Sequence, residues 1–178
     1  MKIAIIGTHS TGKTTILNAL AHELTRNGKT VIILPEYARL CPFPINEQTT
    51  LTAQMWIQHQ QKEQEKKYDK PDVILLCDRA SIDNLAYLER VADDQDISRI
   101  KRAAIAHAKT YTHIFKTHKL PLEAEADGVR STDKEFRDEM DDRITTLLQT
   151  HHIPHTLLPN TADTAQHVNI MSIMIQKQ

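Results

Sequence analysis

"KIAIIGTHSTGKTT", Lys2 to Thr15, decides how the rest of the chain is read. An apolar run ends at Ile6, and Gly7, Gly12, Lys13 and Thr14 then fall on the pattern G-x-x-x-x-G-K-[ST] at every fixed position. The run predicts a buried strand, and the periodic apolar residues beyond Gly12 predict a helix from about Lys13 to Arg26. Gly7 and Gly12 permit backbone turns that a Cβ would obstruct. The arch between them, Thr8, His9, Ser10 and Thr11, can then turn its amides toward an anion, and the start of the helix adds partial positive charge. Thr15 completes the candidate phosphate cradle. Lys13 is expected to reach β- and γ-phosphates, and the Thr14 hydroxyl to ligate Mg²⁺. The bland alternative is a glycine-bearing turn with an exposed lysine.

Outward from this stretch, short apolar runs alternate with longer amphipathic segments. "TVIILP", "DVILLCD", "YTHIFKT" and "IPHTLLP" read as four more strands. Helices are expected over about 46–68, capped by Asn46, and over 81–92, 97–109 and 164–175. Phe136, Met140, Ile144 and Leu148 recur every four residues on a further helix, with Thr132 and Glu135 at capping-box spacing. "NGK" at Asn27 to Lys29 reads as a helix stop. Strand–helix alternation with nearly continuous apolar strands predicts an α/β fold with a five-stranded parallel sheet covered on both faces, a three-layer αβα arrangement in one domain. Ligands of such sheets bind at the carboxyl ends of the strands.

Acids and an arginine stand at those ends. Asp78 closes the third strand, placed to hold the metal directly, to hold it through water, or to accept a proton; as a plain residue it would cap the next helix. Arg79 could stabilise charge on a transferring phosphoryl group or be a solvated arginine. Glu36 follows the second strand with Arg39 three residues on; it is a second candidate base or acceptor-hydroxyl ligand, against a solvent-facing glutamate. On the long helix, Trp56 either stacks on an acceptor ring or packs an apolar side, with Gln54, Gln58 and Gln61 beside it. Asp83 and Tyr87 share a helix face, to touch substrate or to form a buried pair. "HHIPH" at His151 to His155 has no acid or cysteine placed to complete a metal site and reads as surface histidine.

The 178 residues carry a net charge of -1, which argues against a broad polynucleotide footprint. Cys41 and Cys77 lack CxxC spacing, and Cys77 reads as an inert buried thiol. No leader or membrane-length apolar stretch is evident, so a cytoplasmic enzyme is the expectation.

The phosphate motif, "PEYAR", "DRASIDNLAY" and "DGVRSTDKEFR" together resemble the P-loop kinases of the nucleoside and nucleotide type. Within the AAA-like branch, the likeness is greatest to the ribosylnicotinamide kinase domain of the bacterial NAD-biosynthesis regulator. It runs in order over nearly the whole chain. Only that regulator's kinase domain has a counterpart here, so coupled NAD regulation is not expected. The resemblance implies ATP and Mg²⁺, a catalytic acid at Glu36, an acid–arginine pair at Asp78 and Arg79, and a mobile lid over about 118–137 bearing Arg130 and Arg137. It implies a nucleoside- or nucleotide-like acceptor, nicotinamide riboside among the candidates. A polynucleotide kinase and a nucleotide-driven switch are the alternatives.

Overall fold

The computed structural model describes residues 1–119 and 133–176. Its strands are β1 (Lys2–Ile6), β2 (Val31–Leu34), β3 (Ile74–Asp78), β4 (His113–Lys116) and β5 (Thr156–Leu157). Its helices are α1 (Lys13–Arg26), α2 (Leu51–Tyr68), α3 (Ser81–Arg90), α4 (Ser98–Ala108), α5 (Lys134–Thr150) and α6 (Thr164–Gln176). Two 3₁₀ turns, Tyr37–Leu40 and Asn46–Gln48, lie between β2 and α2. The sheet has five strands in the order β2-β3-β1-β4-β5, every pair parallel.

Period-two alternation along β1 builds the two sides of the core. Ile3 and Ile5 pack with Leu17, Leu20 and Leu24 of α1 and with Met171 and Ile175 of α6. Ala4 and Ile6 face the other way, into a cluster with Leu85 of α3, Ala104 of α4 and Met140 of α5. Ile3, Ala4, Ile5 and Ile6 are each at most 1% exposed, so the strand reads as an apolar run rather than an alternating one. The expected three-layer fold is present.

Local signals set the helix ends. The N–H of Lys29 bonds to Leu24 O and that of Gly28 to Thr25 O, with Gly28 at φ 75: the glycine ends α1 in a left-handed cap. The long second helix starts later than expected. Asn46 sits in its own 3₁₀ turn at φ 61, and the Thr50 hydroxyl accepts from the Ala53 N–H. Asp133 caps α5, accepting from the amides of Glu135 and Phe136, and Thr132 lies outside the described residues. β5 is only two residues long, because its pairing ends at Lys116↔Leu157. Among the described residues, no helix is long and apolar enough to cross a membrane.

Candidate phosphate and acceptor site

Because the strands are parallel, their carboxyl ends share one edge. Gly7 follows β1, Glu36 follows β2, Asp78 ends β3 and Thr117 follows β4. The loop after β1 is strongly curved: Gly7 is at φ 136, Ser10 at φ 56 and Gly12 at φ 78. A tight turn with positive-φ residues at three of its six positions can aim its amides into the kind of concavity that binds anions. A Cβ on Gly7 would collide with Thr117 Oγ1, so β4 closes against this loop. Thr117 Oγ1 also lies 2.7 Å from Thr11 Oγ1 and donates to Ile6 O at 3.1 Å.

Lys13 is 6% exposed and its Nζ donates to Thr8 O at 2.6 Å, across the arch it is expected to serve. Burial, with the Arg79 charge beside it, lowers its pKa to about 8; Glu36 and Asp78 oppose that. Thr14 Oγ1 donates to Asp78 Oδ2 at 2.5 Å. Among the described residues, Asp78 Oδ1 is buried without a hydrogen-bond partner. Burial pushes the Asp78 carboxyl above its ordinary value, while Lys13 pulls it back. A hydroxyl and a buried carboxylate with one oxygen unspent are a hard-oxygen donor set, and they fit Mg²⁺.

The second acid is engaged differently. Arg79 Nε donates to Glu36 Oε1 at 2.6 Å, and Arg39 Nε to Glu36 Oε2 at 3.3 Å. Burial alone would raise the Glu36 pKa, but the Arg79 guanidinium and then Lys13 outweigh it and hold the carboxyl at about 2. Arg79 Nη1 also donates to Gly7 O at 3.1 Å and to Asp83 Oδ2 at 3.2 Å. Its backbone is left-handed, φ 86, a conformation that costs an ordinary residue about 1–3 kcal/mol and persists only where surroundings impose it. Asp83 is fully buried, and its other oxygen accepts from the Ala80 N–H at 2.7 Å, so it braces Arg79 and starts α3.

A cavity of about 40 Å³ lies beside Glu36, Arg39 and Arg79, with Gln54 and Ile57 of α2 and Asn84 and Tyr87 of α3 as walls. His9 reaches into it from the phosphate loop and stacks on Phe136, ring centroids 5.7 Å apart. Burial, then the charges of Arg79, Lys13 and Arg137, lower the His9 pKa to about 4, so the ring is neutral at pH 7. Trp56 does not line this cavity; it is half-buried against the core, because Gln54 and Ile57 hold the inward positions of that turn. Arg137 is buried in α5 with its charge near His9. Arg130, and with it most of the expected lid, lies outside the described residues. His152 and His155 are exposed. Asn84 and the stacking of the His9 ring on Phe136 were not legible in sequence: the phosphate motif assigns His9 a backbone amide and no task for its ring, and Asn84 and Phe136 belong to no motif position.

The family described as the AAA domain matches residues 2–166. No curated protein matches. Among solved structures, thymidylate kinase from Ehrlichia chaffeensis is 20% identical with a TM-score of 0.65, covering 98% of each chain. The NadR protein in complex with NR is 19% identical with a TM-score of 0.76, covering 98% of this chain and 50% of that one. Deoxyadenosine kinase from M. mycoides, solved with its products, is 15% identical with a TM-score of 0.64 over 100% of both. The chain thus spans about half of the NadR chain and the whole of the other two.

Proposed function

The chain belongs to the AAA domain family, and we propose that it is an ATP-dependent kinase that moves the γ-phosphoryl group to a small nucleoside- or nucleotide-like acceptor. One observation carries the reading: the Lys13 and Thr14–Asp78 phosphate apparatus and the Glu36–Arg79 pair share one sheet edge, with a walled cavity opening beside the pair. A switch or simple ATPase needs the first half of that arrangement and leaves the cavity without a task. The three similar kinases support the reading through their shared fold.

In this reading the loop amides and Lys13 would hold the triphosphate, and Thr14 and Asp78 would hold Mg²⁺, which would neutralise phosphate charge. Lys13 exchanges Thr8 O for phosphate oxygen. Glu36 accepts a hydrogen bond from the acceptor hydroxyl and aims it at the phosphorus. A carboxylate held at about 2 is a weak proton acceptor, so its work is orientation more than early proton removal. Arg79 fixes Glu36 and ties it to the loop at Gly7 O. Buried Arg137 supplies positive charge beside the arch, and Arg130 is proposed to join it from the lid.

The acceptor is selected from nucleosides and nucleotides, nicotinamide riboside among them. A screen with γ-labelled ATP against nicotinamide riboside, thymidine, deoxyadenosine and dTMP tests this. Label in one of these acceptors supports the kinase; label only in inorganic phosphate supports the ATPase instead.

A further inference from the structure

α2 buries a row of polar side chains, Gln54, Gln58, Gln61 and Glu65, each at most 5% exposed. Only Gln54 lines the cavity beside Glu36. Gln58 Nε2 donates to Ser81 O at 3.0 Å, and Gln61 Nε2 donates to Arg79 O at 3.3 Å. These two carbonyls bracket the turn from β3 into α3, the turn on which Arg79 stands at φ 86. On its other side the Arg79 N–H bonds to Ile5 O at 3.1 Å. Gln61 is itself anchored: it donates to Glu65 Oε1 at 2.7 Å, and Glu65 takes Lys2 Nζ at 3.0 Å and the Tyr111 hydroxyl at 2.5 Å. A fully buried amide in such a network has no water to replace a lost partner.

We propose that Gln58 and Gln61 are positioning residues for phosphoryl transfer, clamping the β3–α3 turn so that one guanidinium reaches Glu36, Asp83 and Gly7 O together. The inference rests on the kinase reading above. Neither glutamine reaches the acceptor cavity; each acts through the peptide that carries Arg79. The left-handed backbone makes this clamp necessary, because an unrestrained arginine relaxes to negative φ and swings its side chain off Glu36. A displacement of about 1 Å in a group that places a reactant is enough for a loss of about 10²-fold.

The test uses full-length chain, γ-labelled ATP and the acceptor panel named above. Gln61→Leu and Gln58→Leu keep side-chain volume and helix propensity while removing the donors. The expected result for Gln61→Leu is a kcat about 10²-fold lower with KM for ATP nearly unchanged. Added to Arg79→Lys it should lower kcat no further, since both act through one guanidinium. Tyr111→Phe cuts the same network at its far end and should lower the melting temperature while keeping kcat. Where Gln61→Leu does not fold, Gln58→Leu, which loses a single bond, carries the same comparison. A lower melting temperature with unchanged kcat in the glutamine variants, or losses that multiply in the double variant, overturns the clamp alone. No transfer by the wild-type chain to any panel member overturns the kinase reading and the clamp with it.

Discussion

Glu36, partly buried, and Asp78, buried, stand on the same edge, yet their surroundings push them apart. Arginine and lysine hold Glu36 at about 2, while burial raises Asp78. Their substitutions should therefore differ in kind. Asp78→Asn is expected to raise the Mg²⁺ concentration needed for half-maximal rate. Glu36→Gln is expected to spare ATP binding and lower kcat by about 10²-fold, the low end for an acid–base group. Mg²⁺ titrations of the two variants check this, and superimposable profiles would mean the roles are misassigned. The histidines give a second residue-scale prediction. His9 and His107 are both lowered to about 4 from 6.5, by burial first and neighbouring cations second. Between those values the unfolded chain binds protons that the folded chain does not, so stability is full above pH 6.5 and falls as pH drops through 4. Glu36, lowered from 4.5 to about 2, extends the loss to still lower pH. Urea unfolding at pH 7 and pH 5 should show the wild-type midpoint falling, and His107→Gln should flatten that fall.

At the scale of elements, the β1–α1 turn was legible because independent signals agree there: an apolar run, two glycines at fixed spacing and a periodic helix. The start of α2 was not, because Asn46 and Thr50 are both good caps and only tertiary packing chooses between them. Trp56 packs against the core, one of the two readings its sequence offered, for a related reason. A helix face is set by which residues the sheet and α3 bury, and those are Gln54 and Ile57, a polar and an apolar residue that carry no joint signal. Asp78 and Glu36 were legible as sheet-edge acids, whereas their opposite electrostatics depends on Arg79 turning back at φ 86, which no local pattern announces. Thr50→Ala should cost about 1 kcal/mol as a lost cap, measured by urea unfolding. The turns over 37–50 carry a further expectation. The cavity they flank, about 40 Å³, is far below the roughly 300–1,000 Å³ of small-molecule pockets. Acceptor binding should change amide exchange there, and unchanged exchange on binding would place the acceptor elsewhere.

For the whole molecule, the parallel sheet is what turns scattered residues into a site. Residues 7, 36, 78 and 117 meet only because four strands end on one edge, and α1 and α3 start there. The fold follows from the alternation of apolar runs and amphipathic helices, but acceptor identity does not, since the candidate cavity is lined from several separate segments with no shared spacing. MgATP bound at about a hundred times its Kd should stabilise the chain by about 2.7 kcal/mol, raising the melting temperature by several degrees. Lys13→Ala should abolish that rise if the buried ammonium holds the phosphates. The most direct measurement is the fate of the γ-phosphoryl group: wild-type and Lys13→Ala chains are given γ-labelled ATP, Mg²⁺ and the nucleoside and nucleotide panel, and labelled products are separated. Label is expected on an acceptor hydroxyl or phosphate with the wild-type chain and none with Lys13→Ala; label found only as inorganic phosphate, or transfer undiminished by Lys13→Ala, would overturn the assignment of this site to phosphoryl transfer.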